Sequence, residues 1–247
     1  MNPFTSGPPK PSENNVPNRS NRTAKDAKIS IRTVGRLSLY RRLLSARDDE
    51  ASKYIYSHEL AAMSGGTAVQ VRRDLMALGC TGNTAKGYSR AALVRRIGRF
   101  LDDPNGVNVA LVGIGNLGRA ILAFFAGQQI KLTVVAAFDK DPAKAGKVIH
   151  GCRCYRMDQL KRIAKQKDIR AGIIAVPVEA GPEAARQLAE AGVTGILNFA
   201  PVRLGLEAPV HVQDIDITTA LETTAYFARK PRKNTRKRRA PSARARA

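Results

Sequence analysis

The sequence predicts two folded parts: a small helical unit built on a helix-turn-helix, then an α/β unit with a mostly parallel sheet. Three observations carry that expectation. Residues 57–79 (SHELAAMSGGTAVQVRRDLMALG) place two short amphipathic segments on either side of a glycine pair. Residues 107–118 (VNVALVGIGNLG) run from an apolar strand pattern directly into G-x-G-x-x-G. Beyond them, short Val/Ile-rich runs alternate with helical periodicities as far as residue 201.

Taken in order, residues 1–27 are rich in Pro, Asn and Ser and read as a disordered arm. Residues 28–104 read as the first folded domain. Thr33–Ala46 sets Leu37, Tyr40, Leu43 and Leu44 at helical spacing, with Arg36, Arg41 and Arg42 outside the stripe. Ser57 is placed as the N-cap of a helix over His58–Met63, which Ser64-Gly65-Gly66 breaks. Thr67-x-x-Gln70 reads as the capping box of the next helix. Its buried stripe is Val71, Leu75 and Leu78, while Gln70, Arg72, Arg73 and Asp74 are expected on or beside its exposed side. A Gly-rich, hairpin-like piece, Gly79–Ser89, resembles the wing of a winged helix, with Lys86 placed for a backbone phosphate. Another amphipathic helix covers Leu93–Leu101, and Asp102–Gly106 is a linker. The second helix of such a unit can enter a major groove, where Arg meets guanine edges or phosphates and Gln meets adenine. Purely structural αα-corners share the pattern; the basic charge and the wing favour DNA.

Residues 105–212 read as a Rossmann domain, 213–229 as a C-terminal helix and 230–247 as a disordered basic tail. Strands are expected at 107–113, 131–139, 152–155, 171–177 and 195–201. Helices are expected at 119–126, 142–146, 157–168 and 182–192, with a last one opened by Asp216 whose apolar face is Ile217, Ala220, Leu221 and Phe227. In the glycine motif, Gly113 allows the tight turn, Gly115 the close approach of a pyrophosphate, and Gly118 the helix–strand packing. Asp139 lies 21 residues past Gly118 at the end of the second strand, where a carboxylate accepts from ribose hydroxyls and repels a 2′-phosphate. The strand, the motif, the helix and the acid together indicate a nicotinamide dinucleotide, with NAD(H) favoured over NADP(H) despite the adjacent Lys140. Asp139 also fits a plain strand-end turn.

The formal net charge is +22, and ten of the 42 basic residues fall between Arg229 and the C-terminus with no acid among them. Removing that run leaves about +12, which suits a polyanionic partner, nucleic acid before an anionic membrane. Cys80, Cys152 and Cys154 form no CxxC pair. Cys152-x-Cys154 could be a redox pair or half a metal site, but with only His150 nearby the favoured reading is two cysteines on the buried face of one strand, and no metal is expected. With no apolar run near ~18 residues, the chain reads as soluble and cytoplasmic, with no membrane partner.

An oxidoreductase needs a proton-handling group beside the nicotinamide. The strand ends expected there read Ala175-Val176-Pro177 and Asn198-Phe199-Ala200-Pro201, with Glu179 and Arg203 the only charges nearby. A dinucleotide held as a signal is therefore favoured over catalysis. The alternatives are an NAD-dependent oxidoreductase with a DNA-binding appendage and a CoA- or nucleotide-binding scaffold.

From about Ile29 to Arg229 the chain resembles the Rex family of bacterial redox-sensing transcriptional repressors. The resemblance is carried by VQVRRDL (69–75), Gly87-Tyr88, VALVGIGNLGRAI (109–121), VVAAFDKDPAKAGK (134–147), IIAVPVEA (173–180) and GILNFAPVRL (195–204). It implies a winged helix joined to a Rossmann domain that binds NADH or NAD⁺ as an effector. It implies a homodimer with the C-terminal helix swapped into the partner, gripping a pseudo-palindromic operator and released by NADH. It maps cofactor contacts onto Gly113, Ile114, Gly115, Asn116, Leu117, Gly118 and Asp139, with Pro177 and Pro201 near the nicotinamide. DNA contacts fall on Gln70, Arg72, Arg73 and Lys86. A nucleotide-sensitive contact joins Tyr88 to Asp216, the latter reading equally as an N-cap.

Overall fold

A computed structural model describes residues 29–46, 53–127, 131–207 and 209–229. The expected arm and tail lie outside them. The chain divides into two compact units, Met1–Pro104 and Asn105–Ala247.

Among the described residues the first unit holds the helices α1 (Ile31–Ser45), α2 (Ser57–Ser64), α3 (Ala68–Ala77) and α4 (Arg90–Leu101). Two short strands, β1 (Tyr54–Ile55) and β2 (Tyr88–Ser89), pair antiparallel. Its core gathers one stripe from each helix: Leu37, Tyr40 and Leu44 from α1, Leu60 from α2, Val71 and Leu75 from α3, Leu93 and Ile97 from α4. Burying each such side chain is worth roughly 1.5–3 kcal/mol, so the helices are held by this shared core more than by their own propensity.

Three local expectations change. Helix α2 begins at Ser57, not after it. The backbone N–H of Tyr56 donates to Glu59 Oε2 at 2.7 Å, so a carboxylate in the first turn closes the end that Ser57 was expected to cap. Only half of the Thr67–Gln70 box forms: Thr67 Oγ1 accepts from the Gln70 N–H at 3.2 Å, while the Gln70 side chain turns inward to Asp74. Asp74 itself is 2% exposed, not on the exposed side of α3. The helix is rotated far enough by its Val71–Leu75 stripe to bring Asp74 against α1.

In the second unit the strands are β3 (Val107–Val112), β4 (Leu132–Asp139), β5 (Val148–Ile149), β6 (Cys152–Arg156), β7 (Ile169–Ile174), β8 (Gly195–Asn198) and β9 (His211–Asp214). They form one sheet in the order β5-β6-β4-β3-β7-β8-β9, parallel except where β5 meets β6. Without β5, that is the doubly wound order of dinucleotide-binding domains, with its switch point between β3 and β7. Helices α5 (Asn116–Phe125), α6 (Leu160–Gln166) and α7 (Gly181–Glu190) are the crossovers, and α8 (Ile217–Phe227) follows β9. Two apolar clusters form, one around Phe138, Leu160, Ile174 and Leu188, the other around Leu111, Ile121 and Cys154.

The expected helix at 142–146 is a single 3-10 turn, Pro142–Lys144. Strand β9 was not expected, because HVQD carries one apolar residue and lies at the sheet edge. Helix α8 is capped as expected: Asp216 accepts from the Thr219 N–H at 2.9 Å and the Thr219 hydroxyl at 2.6 Å. None of its residues is buried.

Candidate dinucleotide site and nucleic-acid interface

At the carboxyl ends of β3, β4 and β7 lies a cavity of about 600 Å³. Its floor is the glycine turn. Gly113 has φ +96°, and a methyl group there would overlap the Ala175 carbonyl. A methyl at Gly118 would overlap the Gly113 carbonyl oxygen, so α5 can pack this close to β3 only without a side chain. A methyl on Gly115 would meet nothing within 4 Å, which leaves that backbone open to an approaching group. The open end of α5 begins at Asn116, with free N–H groups and the positive end of the helix dipole beside the cavity.

Asp139 closes the β4 side and is 8% exposed. Its Oδ2 accepts from the Ile114 N–H at 2.7 Å and from Lys144 Nζ at 2.8 Å, and its Oδ1 accepts from the Asp141 N–H at 2.9 Å. Burial by itself would raise this carboxyl's pKa. Lys144 and the two backbone N–H groups outweigh it and hold the group below the ordinary carboxylate range. The remaining walls come from Met157, Val176, Pro177, Ala180 and Ala184, with Glu179, Glu183 and Gln187 also lining the cavity.

Of the nine expected cofactor residues, Gly113, Gly115, Asp139 and Pro177 line this cavity. Ile114 contributes its N–H to Asp139, and Gly118 sets the packing. Asn116 and Leu117 are exposed at the start of α5 but are not among the cavity walls. Pro201 is not a wall residue either. Asn198, 1% exposed, ties the chain back after β8: its Oδ1 accepts from the Ala200 N–H at 3.0 Å, and its Nδ2 donates to Ala200 O, Val202 O and Asp214 Oδ1. Lys144 and Met157 were missed. Lys144 reaches Asp139 only because Asp141 caps the turn between them, accepting the Ala143 N–H at 2.9 Å; the sequence pointed to the adjacent Lys140.

None of His58, His150 or His211 lines the cavity. Cys152 and Cys154 are buried on β6, and burial pushes the Cys152 thiol up to about 11 and Cys154 upward as well. Among the described residues no cluster could hold a metal ion. No helix among them is long and apolar enough to cross a membrane.

In the first unit, α3 presents Arg72 and Arg73 to solvent, and Arg72 Nη1 donates to Ser57 Oγ at 3.0 Å. Gln70 is committed elsewhere: its amide donates to Asp74 Oδ1 at 2.9 Å. Arg36 meets the same carboxylate through both edges, Nε at 2.6 Å and Nη2 at 2.8 Å, and the Tyr40 hydroxyl adds a fourth bond at 3.1 Å. Burial raises the carboxyl's pKa, but Arg36, Gln70 and Tyr40 together hold it low, and burial beside that charge pushes the Tyr40 phenol up to about 12. The segment after α3 is a tight hairpin. Asn83 Oδ1 accepts from the N–H groups of Ala85 at 2.8 Å and Lys86 at 3.1 Å, and Asn83 bridges Gly87. Lys86 stands exposed at the tip, and the half-buried Tyr88 ring fills the space where a side chain on Gly82 would sit.

A helix-turn-helix followed by a hairpin wing, in a chain that also carries a doubly wound dinucleotide fold, defines a winged-helix regulator with a nucleotide-binding domain. Residues 28–75 match the family described as "Putative DNA-binding protein N-terminus", and residues 105–202 the family described as "CoA binding domain". The redox-sensing transcriptional repressor Rex of Lactobacillus gasseri is 34% identical over 82% of this chain and 94% of its own; that of Leuconostoc citreum is 37% identical over 81% and 93%. The crystal structure of RSP, a Rex-family repressor, matches with TM-score 0.71 at 27% identity, covering 81% of this chain and 93% of that one. RSP in complex with β-NAD⁺ and operator DNA matches at 0.73 with 28% identity, covering 81% and 92%. The chain belongs to the Rex family of redox-sensing transcriptional repressors.

Proposed function

We propose that this protein is a DNA-binding repressor that reads the NADH/NAD⁺ balance and leaves its operator when NADH binds. The observation that carries this reading is the coupling, in one chain, of a winged helix to a cavity whose walls fit a dinucleotide. Its relatives support it: RSP has been crystallised with β-NADH, and with β-NAD⁺ and operator DNA. The nucleotide is an effector and the protein a regulator, not an enzyme; the relatives are named repressors.

The pyrophosphate lies over Gly113–Gly118 and the start of α5, the adenosine ribose at Asp139, and the nicotinamide toward Pro177. Asn116, Leu117 and Pro201 complete the contacts when the nucleotide is bound. Arg72, Arg73 and Lys86 meet the DNA. Gln70 reaches a base only if it gives up Asp74, so it is assigned a positioning part in the free protein.

The working form is a homodimer with α8 exchanged. Two features of the second unit support this. Ile217, Leu221, Tyr226 and Phe227 of α8 are all exposed, Phe227 at 78%. An apolar groove of about 250 Å³ crosses the sheet face between Val109, Phe125, Ala171, Ile173 and Leu197. Covering four such side chains is worth several kcal/mol, at roughly 1.5–3 each. The partner's α8 is the occupant of chemistry and length to cover that face. Asp216, which caps α8, and Tyr88 of the wing keep the switch role that membership of the family implies.

Half-sites read by such dimers lie about 34–36 Å apart, so a small rotation between protomers spoils the simultaneous fit of both α3 helices. A near-complete switch requires NADH to favour the released state by on the order of 5 kcal/mol. Operator affinity measured at one salt concentration with NAD⁺ and then NADH tests the reading: release by NADH supports it, and equal affinities overturn it. Removing residues 230–247 is expected to weaken non-specific binding and flatten its salt dependence, since those lysines and arginines release counterions from DNA.

A further inference from the structure

The carboxylate expected to read the adenosine ribose is already largely occupied. A carboxylate offers about four acceptor positions. Ile114 N–H and Lys144 Nζ take both on Asp139 Oδ2, and Asp141 N–H takes one on Oδ1. One position remains, whereas a ribose diol brings two hydroxyl donors. Lys144 has three N–H donors and spends one on Asp139. Its side chain is a quarter exposed and lines the cavity, so its other donors are available where a hydroxyl, which accepts as well as donates, would lie.

The charge balance at this end of the cavity follows from the same contact. A bare Asp139 would repel a 2′-phosphate. With Lys144 at 2.8 Å the pair sums to zero, and Lys140 adds a further positive charge to the same wall. Glu179 and Glu183, from the segment that follows β7, also line the cavity, but it is Lys144 that is seated on Asp139 itself. A dianionic 2′-phosphate would therefore meet an ammonium beside its carboxylate.

We propose that Lys144 is a specificity-determining residue of this cavity: seated on Asp139, it supplies the second ribose contact and relaxes the discrimination against 2′-phosphorylated dinucleotides that Asp139 alone would impose. This rests on the dinucleotide reading above.

The test is equilibrium titration of the full-length protein with NADH and with NADPH at one salt concentration, in the wild type, Lys144→Met and Asp139→Asn. In Lys144→Met, NADPH affinity should fall about tenfold, as loss of one close ionic contact implies, and NADH affinity by about threefold or less. The ratio of the two dissociation constants should therefore rise. In Asp139→Asn, nearly isosteric, Lys144 stands unopposed and the ratio should fall below that of the wild type. A ratio unchanged or lowered in Lys144→Met overturns the proposal, as does an equal loss of both nucleotides. If neither nucleotide binds the wild type, the dinucleotide reading falls and takes this with it. If NADH binds and the ratios move as stated while operator affinity does not respond, Lys144 stands and only the sensing function falls.

Discussion

Asp74 and Asp139 are two buried carboxylates, one in each unit, and they meet the same physical problem in opposite ways. Both are nearly inaccessible, 2% and 8%, and both are held below the ordinary carboxylate range against a burial penalty. Asp74 is saturated by four side-chain bonds from Arg36, Gln70 and Tyr40, all from its own chain. Asp139 is held mainly by backbone N–H groups and one lysine, and it faces a cavity. A closed ring of side chains fixes the rotation of α3 on α1; a backbone cradle with one movable cation leaves room for a ligand. The number of partners is nearly the same. What separates a structural carboxylate from a ligand-reading one here is whether its partners can be exchanged.

The largest effect should come from breaking the closed ring. Arg36→Met leaves Asp74 charged and buried without its bidentate partner, a loss of about 3–5 kcal/mol. Chemical denaturation of the N-terminal unit and loss of operator binding would report it. Asp74→Ala should cost less, about 1–3 kcal/mol, because the stranded Arg36 side chain is 31% exposed and can turn to water. If the two variants proved equally destabilised, the asymmetry assigned to burial would be wrong. In the second unit Gly118→Ala should abolish dinucleotide binding by forcing α5 off the Gly113 carbonyl, with a stability loss of about 1–3 kcal/mol from overpacking; a titration calorimeter and a melting curve check both halves.

The pH dependence of Tyr40 gives a smaller signal. Its folded pKa lies near 12 against an ordinary value of 10, so the folded state holds its proton more tightly than the unfolded one. Its contribution is complete below pH 10 and is lost as the pH rises through about 12. Tyr40→Phe should flatten that alkaline fall, measured as denaturation midpoint against pH. The two aspartates act at the other extreme: their depressed pKa values stabilise the fold above the ordinary carboxylate range, and that contribution disappears as acid protonates them. Lys144→Met should be the mildest of these, at the low end of about 1–3 kcal/mol for a buried carboxylate that loses one partner, because Asp139 keeps its two backbone N–H donors and borders the cavity. A loss as large as that of Arg36→Met would erase the distinction between the two carboxylates.

Much of the fold was legible because its signals are local. The stripes of α1, α3 and α4 follow a 3.6-residue period, and the strands of the parallel sheet are short apolar runs between helices. The glycine motif carried the floor of the cavity because its spacing is local, although only Gly118 answers a neighbour in the chain, the Gly113 carbonyl; Gly113 is pressed by Ala175 from a distant strand end. Strand β9 was not legible, since HVQD at a sheet edge has no need of an apolar pattern. Lys144 and Met157 were missed because the turn at Asp141 and the crossing of β6 bring them to the cavity from outside the motif. Asp74 was placed on the wrong side because polar residues at the margin of a helical stripe give no sign of which way the helix rolls.

The sequence by itself determined the two-part architecture, the dinucleotide turn, the carboxylate at the end of β4 and the family, since periodicity, glycine spacing and motif order are properties of the chain. Only the tertiary structure decided which charged groups became partners. Arg36 reaches Asp74 across 38 residues and Lys144 folds back onto Asp139. A salt bridge is chosen by where burial strands a charge, and burial is settled only when distant segments share a core.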